Sequence, residues 1–139
     1  MVLAMRLRDR RSGLVRPDVR ALSIGSAVGR LAIGVGMLAV PRRALSALGF
    51  GEVDETGLML ARLAGVRDMV LAGATLLALD DCNRLRAASL ANAAADGGDA
   101  FNFAIALGRT PRNPAARRGI VAALPASAAS LWVFWRLRN

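Results

Sequence analysis

The chain has 139 residues, 55% of them hydrophobic before its 14 glycines are counted, and a formal charge of +9. Soluble domains reach roughly 45–50% apolar with glycine included, so this chain is unusually apolar and strongly basic at once. All 19 basic residues are arginine, with no histidine, lysine or tyrosine, and Cys82 is the single cysteine. Imidazole acid/base chemistry, haem ligation, a zinc cluster and an internal disulfide are thereby excluded.

The length suits one domain, and the Ala- and Leu-rich composition favours helix. Stretches such as 31–40 and 69–79 carry no charge on any side of a helix. A helix that is apolar all round must be buried all round. A domain of this size cannot bury four such helices in water. The expected fold class is therefore all-α: a four-helix transmembrane bundle with a short basic N-terminal arm. A soluble, basic, Ala-rich helical bundle is the alternative.

Residues 1–16 form the arm, rich in arginine (Arg6, Arg8, Arg10, Arg11, Arg16), with 1–7 able to make a short interfacial helix. The membrane domain follows over 17–139. Its first helix is expected over 17–40, opened by Pro17 and Asp18 and closed by Pro41. Residues 42–50 read as an interfacial segment and 51–57 as an acidic loop. The second helix is expected over 57–79, a tight turn over 80–83 and the third helix over 85–107. Gly97 and Gly98 mark a place where that helix could break, with Asp99 capping a second half. After a loop the fourth helix runs over 116–137, with Pro125 a candidate kink. Its 119–135 run is charge-free. With both termini inside, the cytoplasmic loops and arm hold ten arginines against six outside. That bias predicts a multi-pass plasma-membrane protein with cytoplasmic N- and C-termini.

The charges inside the helices fall near their midpoints: Arg30 in the first, Arg67 and Asp68 in the second, Asp96 and Asp99 in the third. Antiparallel helices of matched length put their midpoints at one depth. With Arg62, nearer a helix end, the layer would hold three positive and three negative groups. Asn92, Asp96, Asp99 and Phe103 share one face of the third helix, pointing at Arg30 and Arg67, whose forked guanidinium groups can bridge two carboxylates. The layer is a candidate intramembrane charge network or ligand site. Small-residue stripes suggest close helix packing: Gly25, Gly29, Ala32 and Gly36 on the first helix, Ala61 and Gly65 on the second, Ala123, Ser127 and Ser130 on the fourth.

Arg62, Gly65, Arg67 and Asp68, then a small-residue helix, then Asp96 and Asp99 on the third helix form a pattern. With Arg30, Gly34 and Pro41 it resembles a family of small four-helix bacterial membrane proteins of unknown function, of actinobacterial type and distantly DoxX-like. The resemblance covers about residues 22–107. It implies a membrane location and no established activity. The wider group includes quinone-linked oxidoreductase subunits, but no redox site is reproduced here.

No catalytic constellation and no cofactor motif is expected. Gly34 and Gly36 lack a phosphate-binding pattern around them. A metal at Asn92, Asp96 and Asp99 would be repelled by Arg30 and Arg67. The arginines cluster at helix ends, which fits anionic lipid headgroups rather than nucleic acid. The expected function is a non-enzymatic structural or accessory membrane subunit, in a larger complex or a homo-oligomer, held together by the Arg–Asp layer. A carrier of a small ligand, lipid or proton through that layer is the alternative.

Overall fold

The computed structural model describes residues 15–138; all but the last two residues of the basic arm lie outside that range. The described chain forms five helices and no strand: α1 (Pro17–Ala39), α2 (Pro41–Ala47), α3 (Glu55–Leu77), α4 (Cys82–Arg109) and α5 (Pro114–Arg136). The all-α class holds, with four long helices and one short one at the place read as interfacial.

Helix ends follow local chemistry. Pro17, Pro41 and Pro114 open α1, α2 and α5, where a missing N–H costs nothing. Asp54 caps α3 by accepting from the Gly57 N–H at 2.8 Å. Asp81 caps α4 through the Asn83 and Arg84 N–H groups, and Asn113 caps α5 through that of Ala116. These caps start α3, α4 and α5 two or three residues before the expected positions. α4 also runs unbroken through Gly97 and Gly98, so no second half-helix begins there. Asp99 is not a cap; its carboxylate binds Arg67.

Two small apolar clusters mark the ends of the molecule. Val19, Ala78, Leu79, Leu85 and Val133 join the start of α1, the end of α3, the start of α4 and the end of α5. Met37, Leu45, Leu58 and Ala61 join the end of α1, α2 and the start of α3. Hence α1 and α3 are antiparallel, as are α4 and α5. Within each pair the contact is extensive, whereas the two pairs meet along a narrow seam.

The tightest crossing lies between α1 and α3. A Cβ added to Gly34 would lie 2.7 Å from the Gly65 carbonyl oxygen, and one added to Gly65 would lie 2.8 Å from that of Gly34. Gly65 packs as expected, but its partner is Gly34. Gly25 and Gly29 point outward with open space around them, and Gly36 only touches Ala44. The expected stripe is thus on the wrong face of α1. The buried face is Val19, Ser23, Ala27, Arg30, Gly34 and Met37. On the other pair, the Ser127 hydroxyl donates to the Ala93 carbonyl at 3.0 Å.

Polar and charged side chains are buried alongside the apolar core, and many large apolar side chains face outward. Ser23, Arg30, Asp68, Thr75, Ser89, Asn92, Asp96 and Ser130 are buried. Facing outward are Ile24, Val28, Ile33, Val35, Met59, Leu63, Val66, Val70, Leu90, Phe101, Val121, Leu124 and Leu131, among others. Among the described residues two helices, α1 and α5, are long and apolar enough on their own to cross a membrane.

Candidate functional site: a charged seam

The crossing of Gly34 and Gly65 sets up the site. Arg30 lies one turn before Gly34 on α1, and Asp68 lies one turn after Gly65 on α3. Backbones that touch at the glycines bring these side chains together. Arg30 Nη1 donates to Asp68 Oδ1 at 2.9 Å, and Arg30 Nη2 donates to Asp96 Oδ2 on α4 at 2.5 Å. Arg30 Nη2 also reaches the Asn92 backbone carbonyl at 3.4 Å. One guanidinium therefore ties α1 to α3 and to α4.

Arg67 continues the chain. Its Nη1 and Nη2 donate to the two oxygens of Asp99 at 2.9 and 2.7 Å, a fork-on-fork pair between α3 and α4. Its Nη2 and Nε donate to Asp68 at 3.1 and 3.3 Å. The result is a continuous line of alternating charges, Asp96–Arg30–Asp68–Arg67–Asp99. Arg30, Asp68 and Asp96 are buried at 7–8% exposure. Arg67 and Asp99 are half-buried, with about a third of each side chain exposed.

Six of the seven expected site residues thus come together, and Arg62 does not. It is exposed and has no ion pair or hydrogen bond among the described residues. The expected charge balance fails with it: three carboxylates face two guanidiniums. Asn92 is in place by another route. Its Nδ2 donates to the Thr75 hydroxyl at 2.9 Å, adding a neutral link between α4 and α3. Thr75 carried no signal of its own in the sequence. It falls seven residues after Asp68, two turns along the same face of α3, and that register is what could have found it.

Beside the charged line lies a cavity of about 20 Å³, walled by Ser23, Ser26, Thr75, Ser89, Asn92 and Ser130 together with apolar neighbours. The Ser23, Ser89 and Thr75 hydroxyls each donate to the carbonyl four residues back, at 2.7–2.8 Å. Their hydrogens are thereby used within the helices, leaving lone pairs as acceptors. Asn92 Oδ1 and Arg30 Nε are buried and have no partner among the described residues. Among the described residues no group of three His, Cys, Asp or Glu side chains is placed to hold a metal ion.

At the end carrying the start of α1 and the end of α5, arginines lie over aromatic rings. Arg86 stands 4.7 Å from the Phe134 ring centre, Arg136 5.4 Å from Trp132 and Arg138 4.5 Å from Trp135. Arg20 pairs there with Asp80. At the opposite end Arg42 pairs with Glu55, and Arg118 donates to the Ala47 carbonyl. Apart from Arg62, charge outside the seam among the described residues is thus gathered at the two ends. Comparison with protein-family models, curated proteins and solved structures found no match to the chain.

Proposed function

We propose that the protein is an integral membrane protein whose four long helices all cross the bilayer. We further propose that it acts as a non-enzymatic structural or accessory subunit, clasped across its seam by the Arg–Asp line. The observation that carries the reading is the pairing of mid-helix charges inside the bundle while large apolar side chains face out. Each long helix has at least 23 residues, about 34 Å at 1.5 Å per residue, against a hydrocarbon core of about 30 Å. α3 and α4 are less apolar than α1 and α5 because they carry the seam, and those charges meet one another rather than lipid. Arg62 is the one exposed arginine within α3; a long side chain near a helix end can reach the headgroups.

Direct pairing of the five charged groups, and a cavity with room for about one water, favour the clasp over a carrier of organic ligands. The half-exposed Arg67–Asp99 pair supports assembly into a larger complex or homo-oligomer, since a charge pair facing lipid at mid-depth is costly. Arginines and tryptophans at the helix ends suit anionic headgroups and the interfacial belt. On this reading both termini lie in the cytoplasm, on the side of the arginine excess. The DoxX-like resemblance is consistent with this reading.

Two measurements test it. In bacterial membranes the chain should resist alkaline extraction and require detergent; recovery in the wash overturns the membrane reading. Arg67→Leu should lower the folded yield, and Arg67→Leu combined with Asp99→Leu should recover part of it. Equal yields for both variants and the parent would overturn the clasp.

A further inference from the structure

The seam is one positive charge short. Asp68 accepts from both guanidiniums and Asp99 takes the paired fork of Arg67, whereas Asp96 has only a share of Arg30. The groups around Asp96 offer no other cation. α1 presents Arg30, α3 presents Asp68 and Arg67, and α4 itself presents Asp99 and the amide Asn92. α5 presents Ser127 toward α4 and has no charged residue between Arg118 and Arg136. One full negative charge held among four helices with apolar outer faces is costly, and the cheapest remedy is to neutralise it.

The cavity supplies the means. Asn92, one turn from Asp96 on the same face of α4, is the wall between the cavity and the seam. Its backbone carbonyl takes Arg30, and its side chain, 3% exposed, lines the cavity with an unpartnered Oδ1. The hydroxyls of Ser23, Ser89 and Thr75 present acceptors to the same space. Such a site suits a small molecule rich in donors, and its size suits a water molecule.

We propose that the seam is a binding site for one exchangeable proton, carried on the Asp96 carboxylate and exchanged with a water held in the Ser/Asn cavity. The step is simple: the Asp96 carboxylate takes a proton from a hydronium ion arriving through the cavity, which Asn92 borders one turn away, leaving water and a neutral carboxylic acid, and the seam becomes neutral. The proposal rests on the membrane-spanning reading above. Failure of that reading would show in membrane extraction, which is independent of any proton measurement.

The test is infrared difference spectroscopy on the full chain in lipid nanodiscs at neutral pH, with isotope-labelled aspartate. A carboxylic-acid carbonyl band worth one group per chain is expected. It should move with the label, shift in heavy water, ignore sodium, and vanish in Asp96→Asn. That variant mimics the protonated acid and should keep the parent's melting temperature. Ser130→Leu, which fills the cavity, should slow deuterium exchange of the band several-fold. Full ionisation of every aspartate in the parent protein overturns the proposal, as does a band that sodium abolishes or that survives in Asp96→Asn. Misfolding of Asp96→Asn would also count against it, and the labelled parent spectrum decides independently of any variant. An exchange rate unchanged in Ser130→Leu would remove the cavity water from the scheme.

Discussion

Arg30 makes contacts that only an arginine can make. Its two terminal nitrogens point at different helices, one to Asp68 and one to Asp96, at 2.9 and 2.5 Å. A lysine has a single charged nitrogen and cannot hold both carboxylates in that geometry. Removal of the charge strips Asp96 of its only guanidinium and leaves Asp68 sharing Arg67 with Asp99, and breaking a buried pair typically costs about 3–5 kcal/mol. Arg30→Leu is therefore expected to abolish folded protein, and Arg30→Lys to lower the melting temperature in detergent. A lysine variant with the parent's melting temperature would show that the fork is dispensable. At this scale most of the site was legible, because Arg30, Arg67, Asp68, Asp96 and Asp99 sit at helix midpoints. Depth alone misplaced Arg62. It lies six residues before Asp68, about 240° around the helix, and so faces away from the seam. The angle discriminates where the depth does not. Thr75 stayed hidden because a threonine in an apolar helix has no distinguishing spacing until its partner, Asn92, is known.

Among the elements, α1 shows how a small-residue stripe can mislead. Gly25, Gly29, Ala32 and Gly36 form a regular run, yet Gly25 and Gly29 face out and the backbone contact is made by Gly34. The run that includes Arg30 was the better guide, since a charged residue on an apolar helix must face inward, and Gly34 follows it by one turn. Helix ends were less legible than helix centres. Asp54, Asp81 and Asn113 are caps whose side chains fold back on the N–H groups ahead of them, and those contacts add residues that apolar periodicity does not reach. The glycine assignment yields a paired prediction. Gly34→Val places a side chain against the Gly65 carbonyl and the Met69 side chain, forcing α1 and α3 apart. Overpacking of this kind costs about 1–3 kcal/mol, and spreading Arg30 from Asp68 adds to the loss. Gly29→Leu meets open space and adds one more apolar group to an outward face. Thermal denaturation in detergent should show a clear loss for the first and little change for the second. The reverse order would refute the packing of α1.

The whole molecule is two antiparallel helix pairs, joined by an apolar cluster at one end and by charge at mid-length. Within each pair small residues bring backbones close; between the pairs run the links from Arg30 and Arg67 to Asp96 and Asp99, and the amide link from Asn92 to Thr75. That division explains why α1 and α5, and not α3 and α4, are apolar enough by composition to cross a membrane. A window of sequence counts the seam charges as exposed, and only the fold shows that they pair with one another. The charge outside the seam sets a last expectation, on orientation. Among the described residues the two ends are close to even. Arg16, Arg20, Arg84, Arg86, Arg136 and Arg138 lie toward one, and Arg42, Arg43, Arg62, Arg109, Arg112, Arg117 and Arg118 toward the other. Arg6, Arg8, Arg10 and Arg11, which precede α1 in the chain, turn six against seven into ten against seven, and arginine-rich flanks stay in the cytoplasm. A fluorescent reporter fused after Asn139 should therefore be active, and a phosphatase that works only outside the cytoplasm should be silent there. Replacing those four arginines with asparagine removes the bias without altering any residue of the seam. The two reporters should then both become active, as the population divides between orientations. A phosphatase active on the parent chain would invert the assignment, and a variant that keeps one orientation would show that the loops, not the arm, decide it.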